Sequence, residues 1–154
     1  MISLMDNILT LGGMVETAIS RAMTAFLNRD ALLARAVIDQ DSQIDRAEVQ
    51  IQEQCLQILE TQHPTGADLR YVVAVLKIND GLERVADLAE NVADVVVQVA
   101  DWERFQRVGG CKELGAKAEA LIHCSLEALA TRSVGLAQQV LADDRQVHRM
   151  LEQI

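Results

Sequence analysis

Aromatic side chains are scarce in this chain: one Trp, one Tyr and two Phe, about 3% of 154 residues, with a single proline beside them. The bulk is Ala, Leu, Val, Asp, Glu, Gln and Arg, a composition that favours long helices over sheets. An all-α protein is expected. Basic residues are also short, 14 Lys and Arg against 23 Asp and Glu, for a formal charge of −9. A phosphate-backbone binder needs clustered cations, so nucleic acid is not an expected partner. Cysteines number three, Cys55, Cys111 and Cys124, with no CxxC spacing. That count supports neither a disulfide framework nor a thiolate zinc site, and all three read as small buried apolar residues. The N-terminal "MISLMDNILTLGGMVE" lacks a basic leader region, and no stretch reaches the roughly 20 apolar residues of a membrane span. A cytoplasmic protein that is not integral to the membrane is expected. What the chain does have is apolar mass, half of its residues, enough for the core of one ordinary domain.

Turn signals divide the chain into five helical pieces: roughly 3–27, 31–61, a third from "QHPTGAD" to about Phe105, then 112–130 after "RVGGCK", and a fifth from Ser133 to Ile154. Thr65 and Asp68 have the spacing of a capping box at the start of the third. Shifting the sequence by 103 residues superposes 11–51 on 114–154. Identities recur at Leu11/Leu114, Gly12/Gly115, Glu16/Glu119, Ile19/Ile122, Ala25/Ala128, Arg29/Arg132 and Asp41/Asp144, among others, where composition alone gives about 3 to 4 in that length. An internal repeat follows, with residues 1–106 as a three-helix unit and 112–154 as a second unit of two helices whose third is missing.

The third helix carries "DGLERVADLAENVAD", in which Asp80, Glu83, Asp87, Glu90 and Asp94 follow one another at spacings of three, four, three and four. Val75, Ile78, Leu82, Val85, Ala89, Val92, Val96 and Val99 form a three-four apolar seam on the other side, the expected core face. A solvated polar face explains most acidic helix surfaces. Here, however, like charges at such spacings cost about 0.2–0.5 kcal/mol per pair, and lysines are absent from the stripe. On the second helix, Val37, Asp41, Ile44, Glu48, Ile51, Cys55 and Ile58 form one seam containing two acids, with Asp45 a turn beyond Asp41. Acids at a packed interface must be solvated, paired or metal-bound. Hard carboxylate oxygens on adjacent helices suit Mg²⁺, Mn²⁺ or iron. Glu83 and Asp87 are expected to carry such a site with Asp41 and Asp45, while Glu90 and Asp94 are expected to be solvated bystanders.

Catalysis is not expected. The Glu-x-x-His pairs of di-iron helical enzymes are absent, His63, His123 and His148 are scattered, and no glycine-rich phosphate loop is present. Asp144-x-x-x-His148 is a weaker ligand pair, read more simply as surface residues.

The stretch from "VIDQDSQID" with Glu48, through "HPTGADLR" and "AVLKI", to "LERVAD" with Asn91 resembles the PhoU family of phosphate-transport regulators. The resemblance implies two repeated three-helix bundles, usually dimeric, in the cytoplasm at the membrane face. It implies a regulator that restrains a phosphate ABC transporter, through its ATPase, and mediates repression by a sensor histidine kinase. It further implies metal sites built from paired acid motifs, which fall here on Asp41-x-x-x-Asp45 and Glu83-x-x-x-Asp87, with Glu48 and Asn91 a turn further. The metal is then Mg, Mn, Fe or Zn. Asp68 and Arg70 match the family's Asp-Leu-Arg as a structural pair. The sequence departs from the family at Gly81, where an acid is usual, and at Ala86, where glycine is usual. In the second repeat His148 stands in place of an aspartate. Three readings stay open: a metal-dependent regulator acting by protein contact as a homo-oligomer, a carboxylate-bridged metal store or di-metal oxidase, and a purely structural bundle.

Overall fold

The computed structural model describes residues 2–99 and 110–151. They form five helices: α1 (Ile2–Asn28), α2 (Ala31–Gln62), α3 (Gly66–Val99), α4 (Cys111–Thr131) and α5 (Val134–Leu151). Among the described residues there is no strand, as the composition predicts. The expected extension of the third helix to Phe105, the first half of "RVGGCK" and the last residues of the fifth helix lie outside the described residues.

The 103-residue offset reappears in the backbone. Arg29 ends α1 at φ 56° and Arg132 ends α4 at φ 53°, both left-handed. Beyond each, the Asp30 N–H donates to the Ala25 carbonyl and the Ser133 N–H to the Ala128 carbonyl, both at 3.0 Å, closing the last helical turn. The next helix is then capped by the same residue's side chain: Asp30 Oδ1 accepts from the Leu33 N–H at 2.9 Å, and Ser133 Oγ from the Leu136 N–H at 3.2 Å. Two helical hairpins thus share one junction, residue for residue. Asp30→Ala and Ser133→Ala should each cost about 1 kcal/mol in denaturant unfolding.

The α2–α3 turn is different. His63 at φ 45° and Gly66 at φ 58° flank Pro64 and Thr65. The expected Thr65–Asp68 capping box does not form, because the left-handed Gly66 stands where a capping box needs its first right-handed helical residue. Glycine is the residue that adopts that φ without strain.

Helices α1, α2 and α3 pack on one another as a bundle. Its interior holds Leu4, Ile8, Leu11 and Val15 from α1, Ile44, Ile51 and Cys55 from α2, and Val72, Val75, Ala86, Ala89 and Ala93 from α3. The expected α3 seam is half correct. Val75, Leu82, Ala89 and Val96 are buried, whereas Ile78, Val85, Val92 and Val99 are only partly so, and Val72, Asn79, Ala86 and Ala93 take the other half. The reason is that α3 faces α1 and α2 together, which turns its small-residue side inward. Ile78 and Val85 instead line an open, nearly all-apolar groove of about 790 Å³ between α3 and α4, opposite Ile122, Leu126 and Leu129.

The α4–α5 hairpin meets the three-helix bundle through α1. A Cβ on Gly12 would strike Leu126, and one on Gly115 would strike Met23. Each partner is again 103 residues from its counterpart, so the crossing has an approximate twofold symmetry. Beside it Glu16 Oε1 and His123 Nδ1 lie 2.6 Å apart. Of the three cysteines, Cys55 is buried as expected, and burial pushes its thiol pKa up. Cys111 and Cys124 are half-buried; α4 packs on α1 and α5 but has no contact with α2 or α3 among the described residues.

Candidate metal centre

The short turn after Gln62 sends α3 back along α2, so residues later on α2 face residues earlier on α3. Ile44 and Ile51 turn into the core and leave Asp41 and Glu48 at its rim, half-buried, on the side where α3 carries its acids. On α3 the inward turn of Asn79, Ala86 and Ala93 brings Glu83 and Glu90, seven residues apart, to the same rim. Asp80, Asp87 and Asp94 stay exposed.

Two groups result. Carboxylate oxygens of Asp41, Asp87 and Glu90 all lie within 4.8 Å of one another. One to two turns along, Glu48 meets α3 through Asn79, whose Nδ2 donates to Glu48 Oε1 at 2.8 Å and to the Glu48 carbonyl at 3.2 Å. The charges of Glu83 and Asp80 act on Glu48 there. Asp45 is exposed between the groups and acts on Asp41, Glu48 and Glu90 alike. No lysine or arginine ion pair involves these acids among the described residues; elsewhere, carboxylates meet imidazoles at Glu16–His123 and Asp144–His148.

Burial, then neighbouring carboxylates, raises the pKa of Asp41 above its ordinary 3.8 and those of Glu48 and Glu90 above 4.5. Asn79 opposes the rise at Glu48 by hydrogen bonding. A carboxylate whose pKa is raised by folding binds its proton more tightly in the native state. Its favourable contribution is complete below the ordinary value and is lost as pH climbs through the raised one. Metal-free protein should therefore melt at a higher temperature as pH falls from 7 towards about 4.5. Asp41→Asn/Glu48→Gln/Glu90→Gln should flatten that dependence, and an identical slope in both proteins would count against the charge cluster as its source.

Of the residues singled out in the sequence, Asp41 and Asp87 are brought together, Asp45 lies beside them, and Glu48 and Glu83 form the neighbouring group. Asn91 is exposed one turn beyond Asp87. Asp68 and Arg70 are both exposed on the first turns of α3, and neither a hydrogen bond nor an ion pair joins them. Glu90, expected to be solvated, is instead half-buried, with a carboxylate oxygen within 4.8 Å of those of Asp41 and Asp87. Its seven-residue spacing from Glu83 is the signal that marks it, once α3's buried side is placed correctly. Gly81 lines the groove towards α4, so an acid at that position would not face α2. In the second hairpin, His148 Nδ1 is 3.9 Å from Asp144 Oδ1, both exposed, and no third His, Cys, Asp or Glu joins them among the described residues.

Three oxygen donors converging from two helices, with no lysine or arginine ion pair among the described residues, fit a hard metal ion. The chain matches the PhoU domain model over residues 8–96. It is 31% identical over 152 residues to the phosphate-specific transport system accessory protein PhoU of Escherichia coli, covering 99% of this chain and 63% of that protein. It is 31% identical over 145 residues to the PhoU homolog of Pseudomonas aeruginosa, covering 94% and 60%. The chain therefore spans about three fifths of the length of these relatives. The crystal structure of PhoU from Pseudomonas aeruginosa superposes with a TM-score of 0.92 at 30% identity, over 96% of this chain and 71% of that one. That of the phosphate transport system regulatory protein PhoU from Streptococcus pneumoniae gives 0.87 at 24%, a likeness of fold. With its five-helix architecture and more than half its length matched, the chain belongs to the PhoU family.

Proposed function

We propose that the chain is an accessory regulator of phosphate transport whose α2–α3 acid face binds a divalent or trivalent metal ion, Mg, Mn, Fe or Zn. The observation that carries the metal reading is the convergence of the carboxylate oxygens of Asp41, Asp87 and Glu90 within 4.8 Å of one another. The relatives' names, as accessory proteins of a phosphate-specific transport system, support the regulatory role. In this reading metal binding neutralises the clustered charge, since the cation's positive charge offsets the repulsion among the ionised ligand carboxylates. The face then presents bound cation instead of bare acid, which changes its complementarity to a partner surface. The partners proposed are the ATPase of a phosphate ABC transporter and a sensor histidine kinase, reached by protein contact in the cytoplasm.

Among the described residues, no helix is long and apolar enough to cross a membrane. The open groove between α3 and α4, together with exposed Val134 and Leu141 on α5, supports self-association into a homo-oligomer. Metal analysis of protein purified without chelator tests the site: wild type should retain metal, and Glu83→Ala/Asp87→Ala should not. Equal, negligible metal in both would end the assignment. A di-metal oxidase built on the same carboxylates would consume oxygen when Fe²⁺ is added, and no such uptake is expected.

A further inference from the structure

Asn79 is a polar side chain with no exposed surface, in the middle of the apolar stripe that α3 turns inward. Its Nδ2 is doubly engaged, by Glu48 Oε1 at 2.8 Å and by the Glu48 carbonyl at 3.2 Å, while its Oδ1 is buried without a partner. A half-satisfied buried amide is costly, and a leucine would fill the same space without that cost. The neighbouring positions of the stripe hold Val75, Leu82 and Ala86, so the amide is an exception in its own helix face.

What the amide does is hold Glu48. It grips one carboxylate oxygen and the main chain of the same residue, which fixes the side chain against α2. The charges of Glu83 and Asp80 act on that same carboxylate. Bare, that arrangement is repulsive, and a cation beside Glu48 makes it favourable. Resting on the proposed metal reading, we infer that Asn79 is a positioning residue for the α2–α3 acid face: through Nδ2 it orients Glu48 as an oxygen ligand, while its own Oδ1 stays buried and unpartnered. A positioned ligand binds without first losing its side-chain freedom, so the effect of Asn79 belongs in metal affinity.

The competing role is register, a buried amide that merely aligns α2 with α3. Mn²⁺ titration of the full chain after chelator treatment separates the two, using Asn79→Leu, Glu48→Gln and the double variant. Asn79→Leu should weaken Mn²⁺ roughly ten- to hundredfold, the usual cost of losing a residue that orients a ligand. Its metal-free melting temperature should stay level or rise, because the unpartnered oxygen is gone. In the Glu48→Gln background the same substitution should bring no further loss, since the amide acts through Glu48. Unchanged affinity in Asn79→Leu, or an equal loss in both backgrounds, overturns the inference; Asn79→Ala replaces Asn79→Leu if the larger side chain prevents folding. Failure of the wild-type chain to bind Mn²⁺ overturns this inference and the metal reading together, whereas normal binding that is indifferent to residue 79 removes this inference alone.

Discussion

Saturating Mn²⁺ should raise the melting temperature of the wild-type chain by about 5–10 °C, and Asp41→Asn/Asp87→Asn/Glu90→Gln should abolish that rise. A ligand that binds only the native state at about 100 times its dissociation constant adds about 2.7 kcal/mol. For a chain of this size each kcal/mol moves the midpoint by about 2–4 °C. The triad is the right target because its oxygens already lie within 4.8 Å of one another, so few rearrangements precede binding. The same variant should melt higher than wild type in chelator, since two half-buried acids and an exposed one no longer repel. This opposite effect with and without metal distinguishes a site from a fold defect, which would lower both midpoints. A wild-type midpoint that ignores millimolar Mn²⁺, Mg²⁺ and Zn²⁺ would sink the metal reading.

Gly12→Val should loosen the α4–α5 hairpin from the molecule at a cost of about 1–3 kcal/mol, the usual range for overpacking a tight contact. Gly12 and Gly115 allow α1 and α4 to cross closely, and even a methyl group on Gly12 meets the Leu126 side chain. The hairpin has no second anchor among the described residues: α4 contacts α1 and α5, and an open groove separates it from α3. Loss of the crossing therefore exposes an amphipathic helix pair that has little core of its own, while α1, α2 and α3 keep theirs. Amide exchange should accelerate across 111–151 and stay slow at Ile8, Ile44 and Val75. Gly115→Ala should be milder, because the displaced group is the flexible end of Met23 and alanine favours the helix. Uniform acceleration along the whole chain would show that the two parts unfold as one unit.

Helix number, type and nearly all the turns were legible in the sequence because they are local. Asp30 and Ser133 cap helices through their own side chains, and the 103-residue repeat announces that both hairpins use one junction. The candidate ligands were legible as a class, since unpaired acids at three-four spacing are visible without a structure. Which of them meet was not. Glu90 reads as solvated if α3 buries Ile78 and Val85, and it comes to face Asp41 once Asn79, Ala86 and Ala93 are the buried side. The two choices differ by a modest rotation about the helix axis. Both satisfy the same apolar periodicity, so no local pattern separates them.

By itself, then, the sequence determined an acidic all-helical chain with an internal repeat and two helices rich in carboxylates, because propensity and charge act over a few residues. Only the tertiary structure decided which face of α3 is inward, that Asp41 meets Asp87 and Glu90 while Asn79 holds Glu48, and that α4 crosses α1 at a pair of glycines. Those outcomes rest on packing three helices against one another at once. That competition among faces depends on all of the partners and is written in no single segment.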